Sequence, residues 1–453
     1  LGSSLALSQY TNCSLFSYAS ASLAIGSTYA FSMYYLDNEG YMATSIASKN
    51  VIYSSVSSAT IYLATNIQPN YSSVSVSSIP NLNYPNAISD GLVVVNSNIY
   101  FSYSYSDFYG IKRVDNLGNV YVFAGSGTQG CSDGGAASAT FNDPKGLAVL
   151  GNFLYVADAG CHTIRQLNLT NGNVITVAGT YSSSYVPTQG GTHAPNYCVD
   201  DPNSINATFF KPTAIAAYPN SNSLYVIDSG NRTIRKLVPT GGGLFSVSTY
   251  PPNTCYNVGP SLSPSVGASD GLFSTAGSIY GFAIPYGIAL QDPYNIYVTD
   301  VEKNTVRLLS STDGGVSFYT YTVAGTANSM GDVTGQMIVT SGGPLLYQPK
   351  GITLSPQTGY LYVADYSNRK VKQLFISTPP NKLSTALFSG QPNPVVVFPF
   401  AGSGSAASNE GTLSTSAFDG PSGIAQDSSG QVLYIIDSLS GKIRMISGPG
   451  IVF

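Results

Sequence analysis

The chain has no tryptophan, only two histidines and few charges: Lys, Arg, Asp and Glu make up 9% of its 453 residues. Each shortage excludes something. Two histidines, His162 and His193, cannot supply a three-histidine catalytic metal centre. A net charge of −4, thinly spread, gives no electrostatic footprint for nucleic acid or for an anionic membrane surface. No apolar run reaches the roughly 18 residues a membrane helix needs, and no amphipathic pattern extends over four helical turns. There is no CxxC pair, GxSxG elbow, P-loop or HExxH motif. The chain begins at Leu1 rather than Met, which a removed signal peptide or a trimmed chain would explain equally.

What is abundant is Gly (47), Pro (26) and Tyr (34), a composition of many short strands joined by tight turns. One phrase recurs five times: LYVADAGCHTIRQL (154–167), LYVIDSGNRTIRKL (224–237), IYVTDVEKNTVRLL (296–309), LYVADYSNRKVKQL (361–374) and LYIIDSLSGKIRMI (433–446). In each, an apolar strand ends in Asp and a basic residue follows seven positions later. The pairs are Asp158/Arg165, Asp228/Arg235, Asp300/Arg307, Asp365/Lys372 and Asp437/Arg444. Around each phrase lie two more apolar runs. Residues 141–179 read as four short antiparallel strands, GLAVL, FLYVAD, TIRQLNL and NVITVAG, with Asn171-Gly172 as a turn. Such a sheet is apolar on both faces and is stable only when copies stack on either side. A fainter copy at 90–125 keeps Lys112 and has Tyr105 where Asp is expected, which makes six units. The last unit ends in KIRMIS and GIVF, so its outer strand is expected from the final residues.

P-x-G before the first strand, YVAD closing the second, GN-x-x-IRK on the third and VAG closing the fourth resemble the NHL-repeat family of β-propellers. The linkers at 132–146 and 409–423 resemble that family's inter-blade phrase. The resemblance covers about 86–453 and implies an all-β fold: a propeller of six recognisable four-stranded blades. It implies little about activity, because propellers host unrelated functions. Residues 1–85 are a low-charge, β-rich segment whose only charges are Asp37, Glu39 and Lys49. The stretch 22–55 aligns with 91–124, so it reads as a degenerate seventh blade, an arm or a small extra sheet.

An enzyme rarely repeats its site in every blade. The Asp/basic pairs are therefore expected to be structural, tying the second-to-third strand connection to the third strand. Asp133, Asp200, Asp201, Asp270 and Asp332 are expected to cap turns, a structural Ca2+ being the other use of such residues. Cys131–Cys161 and Cys198–Cys255 are expected as disulfides, because each pair falls on loops of one propeller face, leaving Cys13 free or intermolecular. Sequons at Asn12, Asn70, Asn168, Asn206 and Asn231 are candidate glycosylation sites. Sequons and separated cysteines point to a secreted glycoprotein at the cell surface. The long connections 180–209, 251–281 and 326–346 should project from one face, where binding surfaces form.

The strand-prone segments YAFSMYYL, NVIYSS, ATIYLAT and SSVSVSS in residues 1–85 must be hidden or paired. The expected function is therefore a non-enzymatic extracellular structural subunit that assembles with copies of itself or other extracellular proteins through β-strand and propeller contacts. The alternative is a monomeric module that binds a glycan, peptide or protein on its loop face. A metal-dependent propeller lyase or hydrolase is the third reading. No cofactor is expected beyond glycans, and no nucleic-acid partner or membrane insertion.

Overall fold

The protein is described here by a computed structural model covering residues 28–32, 48–52, 71, 73–80, 82–180, 198–252, 269–273, 281–336, 343–376, 395–448 and 453. Cys13, Cys255, Asn12, Asn70 and His193 lie outside these residues, as does much of the three long connections. The chain divides into two compact units, Leu1–Pro69 and Asn70–Phe453. In the first, Thr28–Ser32 pairs antiparallel with Ser48–Ile52. Within 22–55 the described residues are these two paired strands, and the rest of that stretch lies outside the described residues.

The second unit is all β, with six sheets of at least four antiparallel strands each. Blade one is Ile88–Val95, Asn98–Tyr105, Phe108–Val114 and Val120–Ala124. Blade two is Pro144–Leu150, Phe153–Asp158, Thr163–Asn168 and Val174–Ala178. Blade three runs Pro212–Tyr218, Ser223–Asp228, Thr233–Gly241 and Leu244–Tyr250. Blade four is Pro285–Asp292, Asn295–Asp300, Thr305–Ser310 and Tyr319–Ala324. Blade five is Pro349–Leu354, Leu361–Asp365, Lys370–Ile376 and Val395–Ala401. In blade six, Pro421–Gln426, Val432–Asp437 and Lys442–Ser447 are completed by Ser75–Ser78 from the other end of the chain.

That last pairing corrects the sequence reading twice. The outer strand of blade six is not the final residues, and SSVSVSS is not a free strand. Val76 pairs with Ile446, and both are buried. Closing the ring with a strand from the opposite end joins the first blade to the last without a covalent link and removes an open edge. The propeller unit consequently begins near Asn70 rather than at 86. Phe453, also buried, packs with Tyr71, Tyr362 and Phe400 beside this closure.

The core is six layers, one between each pair of neighbouring blades. Ile164, Leu237 and Phe245 fill the layer between blades two and three; Val306, Leu346 and Leu374 fill that between four and five. Every residue of LYVAD in blade five is buried, which only a strand covered on both faces can achieve. Each fully buried Leu, Val or Ile contributes about 1.5–3 kcal/mol, so the layers supply most of the stability.

Candidate ligand site at the axial mouth

The inner strands of the six blades surround a cavity of about 350 Å3. Each inner strand enters through the P-x-G phrase or its variant, and the glycine is there because neighbouring inner strands nearly touch. A Cβ on Gly351 would lie 2.5 Å from the Ser422 carbonyl oxygen, and one on Gly91 only 1.9 Å from that of Lys145. Blade three has Ala214 in the corresponding place. The residue before it is the variable one: Asp90, Lys145, Thr213, Tyr286, Lys350 and Ser422, with lysine in two of the blades. All six are polar. Asp90, Thr213, Tyr286 and Ser422 line the cavity, and Lys145 and Lys350 lie near enough to act on the Asp90 carboxylate.

Opposite blades meet across the axis. The Tyr286 hydroxyl donates to the Asp90 carboxylate, while Thr213 Oγ1 donates to the Tyr286 carbonyl at 3.1 Å. Lys350 Nζ sits 3.6 Å from the centre of the Tyr366 ring and 5.6 Å from that of Tyr286. Lys145 contacts Asp143 at 3.2 Å. Burial pushes the Asp90 carboxyl up, but the ammonium groups of Lys350 and Lys145 and the Tyr286 hydrogen bond outweigh it and hold the pKa below the ordinary value. Burial, reinforced by Lys145, lowers Lys350 against the attraction of Asp90. Tyr286 is raised well above the usual tyrosine value by burial and by Asp90. The mouth therefore presents an ionised carboxylate, two half-buried ammonium groups and a phenol that keeps its proton.

The repeated pairs are elsewhere and do another job. In blades two, three and six Asp and Arg touch directly: Asp158–Arg165 at 3.2 Å, Asp228–Arg235 at 3.1 Å and Asp437–Arg444 at 3.5 Å, with no exposure of any of these side chains. Each Asp also accepts a backbone N–H from the segment entering its blade, as from Asn142, Phe210, Tyr347 and Asp419, or from Ala283 and Ile284 together. Burial raises Asp158 to about 7 and Asp365 to about 7, with the basic partner and these N–H groups opposing. The same burial takes Asp228 to about 6 against Arg235 and Asn231.

A second carboxylate is the part the sequence reading missed. Arg165 reaches Asp133 (2.8 Å), Arg235 reaches Asp200 (2.9 Å), Arg307 reaches Asp270 (3.3 Å), and Lys372 contacts Asp332. In blades four and five this linker carboxylate is the direct ion-pair partner, while Asp300 and Asp365 act on Arg307 and Lys372 through space. Asp133, Asp200, Asp270 and Asp332, weighed as turn caps or Ca2+ ligands, thus bind the protein's own cations. Asp201 instead exchanges backbone hydrogen bonds with Val247 and caps Asn203. The signal was present: an acidic residue sits in every connection entering these blades, NEG with Glu410 included, and only its partner is distant in sequence.

Blade one departs from this rule. Lys112 lies opposite Phe101, as Arg165 lies opposite Val156, so the residue in the Asp position is Tyr103 and not Tyr105. The hairpin is two residues longer, which shifted the sequence alignment. Lys112 Nζ sits over aromatic rings, 3.7 Å from the Tyr103 centroid and 4.0 Å from that of Tyr84, with Asp107 acting on it through space.

His162 occupies a left-handed position (φ 59°) in a second-to-third strand loop, and its Nδ1 accepts the Lys211 N–H at 3.0 Å. Burial and Lys211 lower it to about 4, so it is neutral and joins blade two to blade three. Cys131 and Cys161 form a disulfide with Cα atoms 5.7 Å apart, and Cys198 is also disulfide-bonded. Asn206 is exposed and Asn168 half-buried. Asn231 is 4% exposed and donates to Asp228 at 2.8 Å, so it is withdrawn as a glycosylation candidate: a glycan there would break a buried hydrogen bond. Among the described residues no three His, Cys, Asp or Glu side chains come together as a metal site.

Six sheets around a polar axial mouth, with buried Asp/basic clamps, define a six-bladed β-propeller. No family model matches the chain. The chain is similar to NHL repeat-containing protein 2 of Homo sapiens and of Bos taurus, 28% identical over 342 residues, covering 73% of this chain and 42% of those proteins. It is 27% identical over 341 residues to the chloroplastic protein SUPPRESSOR OF QUENCHING 1 of Arabidopsis thaliana, covering 72% of this chain and 27% of that one. The chain thus spans less than half the length of these curated relatives. Among solved structures, an auxiliary nutrient binding protein from Bacteroides thetaiotaomicron shares the fold, with a TM-score of 0.51 at 11% identity over 92% of this chain and 83% of that chain.

Proposed function

We propose that this chain is a non-enzymatic extracellular binding module whose axial mouth takes up an acidic group of its ligand. The observation that carries the reading is the variable position of P-x-G. The scaffold demands the proline and glycine but leaves that position free, and it is polar in all six blades. Lys350 and Lys145 supply two cations in a half-buried setting, where a carboxylate gains more from pairing than it would in bulk water. Thr213, Ser422 and Tyr286 add hydroxyl groups for orientation. Asp90, ionised and hydrogen-bonded to Tyr286, lacks the protonation a general acid would need. Disulfide bonding of Cys131, Cys161 and Cys198 and the exposed sequon at Asn206 support a location outside the cell. The structural-subunit expectation drew partly on SSVSVSS, which is paired within its own chain.

Calorimetric titration of the full chain with glucuronate and with glucose tests this. Glucuronate should bind, glucose should not, and Lys350→Met should weaken glucuronate by about tenfold, the value of one lost ionic contact of about 1.4 kcal/mol. Equal responses to the two sugars, or indifference to Lys350→Met, would refute the assignment.

A further inference from the structure

In blades two to six the connection entering the blade runs along its outer strand and covers the open edge. Gly134 bridges to Val174 and Asp201 to Val247. Gly271–Leu272, Gly335–Gln336 and Gly411–Thr412 add short fifth strands to blades four, five and six. The outer-strand residue opposite the basic side chain is sealed as well. Thr176, Thr249, Thr322 and Ser78 donate their N–H groups to Asp133, Asp200, Asp270 and Glu410 at 2.8–2.9 Å. In blade five that residue is Pro399, which has no N–H to seal.

Blade one lacks all of this among the described residues. Its entering connection is only 79–87, because the chain passes directly from the closing strand of blade six into the first inner strand. The equivalent outer-strand residue is Val122, opposite Lys112, and no described residue accepts its N–H. The strand Val120–Ala124 contains no charge and no proline, the usual guards of an edge. Tyr121 is 44% and Val122 57% exposed. No sequon falls between 70 and 168, so no N-linked glycan is rooted on this blade.

We propose that the outer edge of blade one is a self-association site, pairing antiparallel with the same edge of a second copy. The sequence VYVFA suits a two-fold contact centred on Val122. Residues 120 and 122 turn their backbone groups to the open side, the bulge turning Ala124 back to Ile111, so Val122 would exchange both hydrogen bonds with Val122 of the second copy. Tyr121 would face Phe123 across the axis, and the two Val122 side chains would meet on the other face. Identical uncharged edges are complementary to themselves, and a two-fold contact closes at a dimer. The result is one eight-stranded sheet running through two propellers. This inference is independent of the axial mouth.

Light scattering on the full chain across a concentration series reads it directly, alongside Val122→Lys. Wild type should show a monomer–dimer equilibrium. Val122→Lys, on an exposed side chain, should keep the wild-type melting temperature yet weaken the dimer by about tenfold or more, since it places two like charges face to face. A monomer at every concentration would overturn the proposal. So would a dimer that Val122→Lys leaves intact, or open-ended polymers in place of a dimer, which a strand from elsewhere in the chain would produce.

Discussion

Replacing Arg235 by Met should damage the fold far more than any surface ion pair could. Arg235 is fully buried and makes four contacts: Asp228 at 3.1 Å, Asp200 at 2.9 Å, the Thr208 carbonyl at 2.5 Å and the Val199 carbonyl at 2.7 Å. Methionine fills most of the volume but leaves Asp228 buried without its cation. Breaking a buried pair in this way costs about 3–5 kcal/mol. Asp228 retains the Phe210 N–H and the Asn231 amide, at 2.7 and 2.8 Å, which argues for the lower part of that range. Unfolding entropy for a unit of this size is near 0.8 kcal/mol/K, so the melting temperature should fall by about 4–6 °C. By contrast Asp200→Asn, at a side chain 38% exposed, should cost about 1 kcal/mol or less. Scanning calorimetry measures both. Two signatures distinguish an orphaned charge from lost packing. The Arg235→Met deficit should shrink as pH falls, because Asp228 can then take a proton. Adding Asp228→Asn should recover part of it, since the amide oxygen still accepts from Phe210. If Arg235→Met costs no more than Asp200→Asn, or if neither rescue occurs, the account of the clamp is wrong.

The same carboxyls set a pH dependence of unusual sign. Asp158, Asp228 and Asp365 are raised to about 7, 6 and 7, whereas unfolded they titrate near 4. Between those values the folded state holds more protons, so this stability is present at low pH and is lost as pH rises through about 6–7. Calorimetry should show a higher melting temperature at pH 5 than at pH 8; a steady fall from pH 8 to 5 would contradict the raised values. Gly351→Ala should push the inner strands of blades five and six apart, its Cβ meeting the Ser422 oxygen at 2.5 Å, and should lower stability by about 1–3 kcal/mol. Wild-type thermal stability in that variant would mean that the ring around the axis is slacker than described.

The blade repeat was legible because each strand obeys local rules. LYVAD must be buried on both faces, Asn171-Gly172 must turn, and a basic residue seven positions after Asp falls on the next strand close to that Asp. A phrase repeated at constant spacing reports the same local structure each time, so the all-β propeller followed from sequence, as did the approach of Asp to Arg in blades two, three and six. What sequence left open concerns contacts between distant parts of the chain. Asp200 lies 35 residues before Arg235 and Ser75–Ser78 lies over 360 before its partner strand. Nothing local in SSVSVSS states which edge it will find. Tyr103 replaced Asp within a longer hairpin, so counting residues misplaced it. The mouth is the clearest case. Asp90, Lys145, Thr213, Tyr286, Lys350 and Ser422 are spread over more than 330 residues and each resembles an unconstrained surface position. Repetition determined that every blade offers one such position; only closure of the ring, which turns six inner strands toward one axis, decided that they face one another.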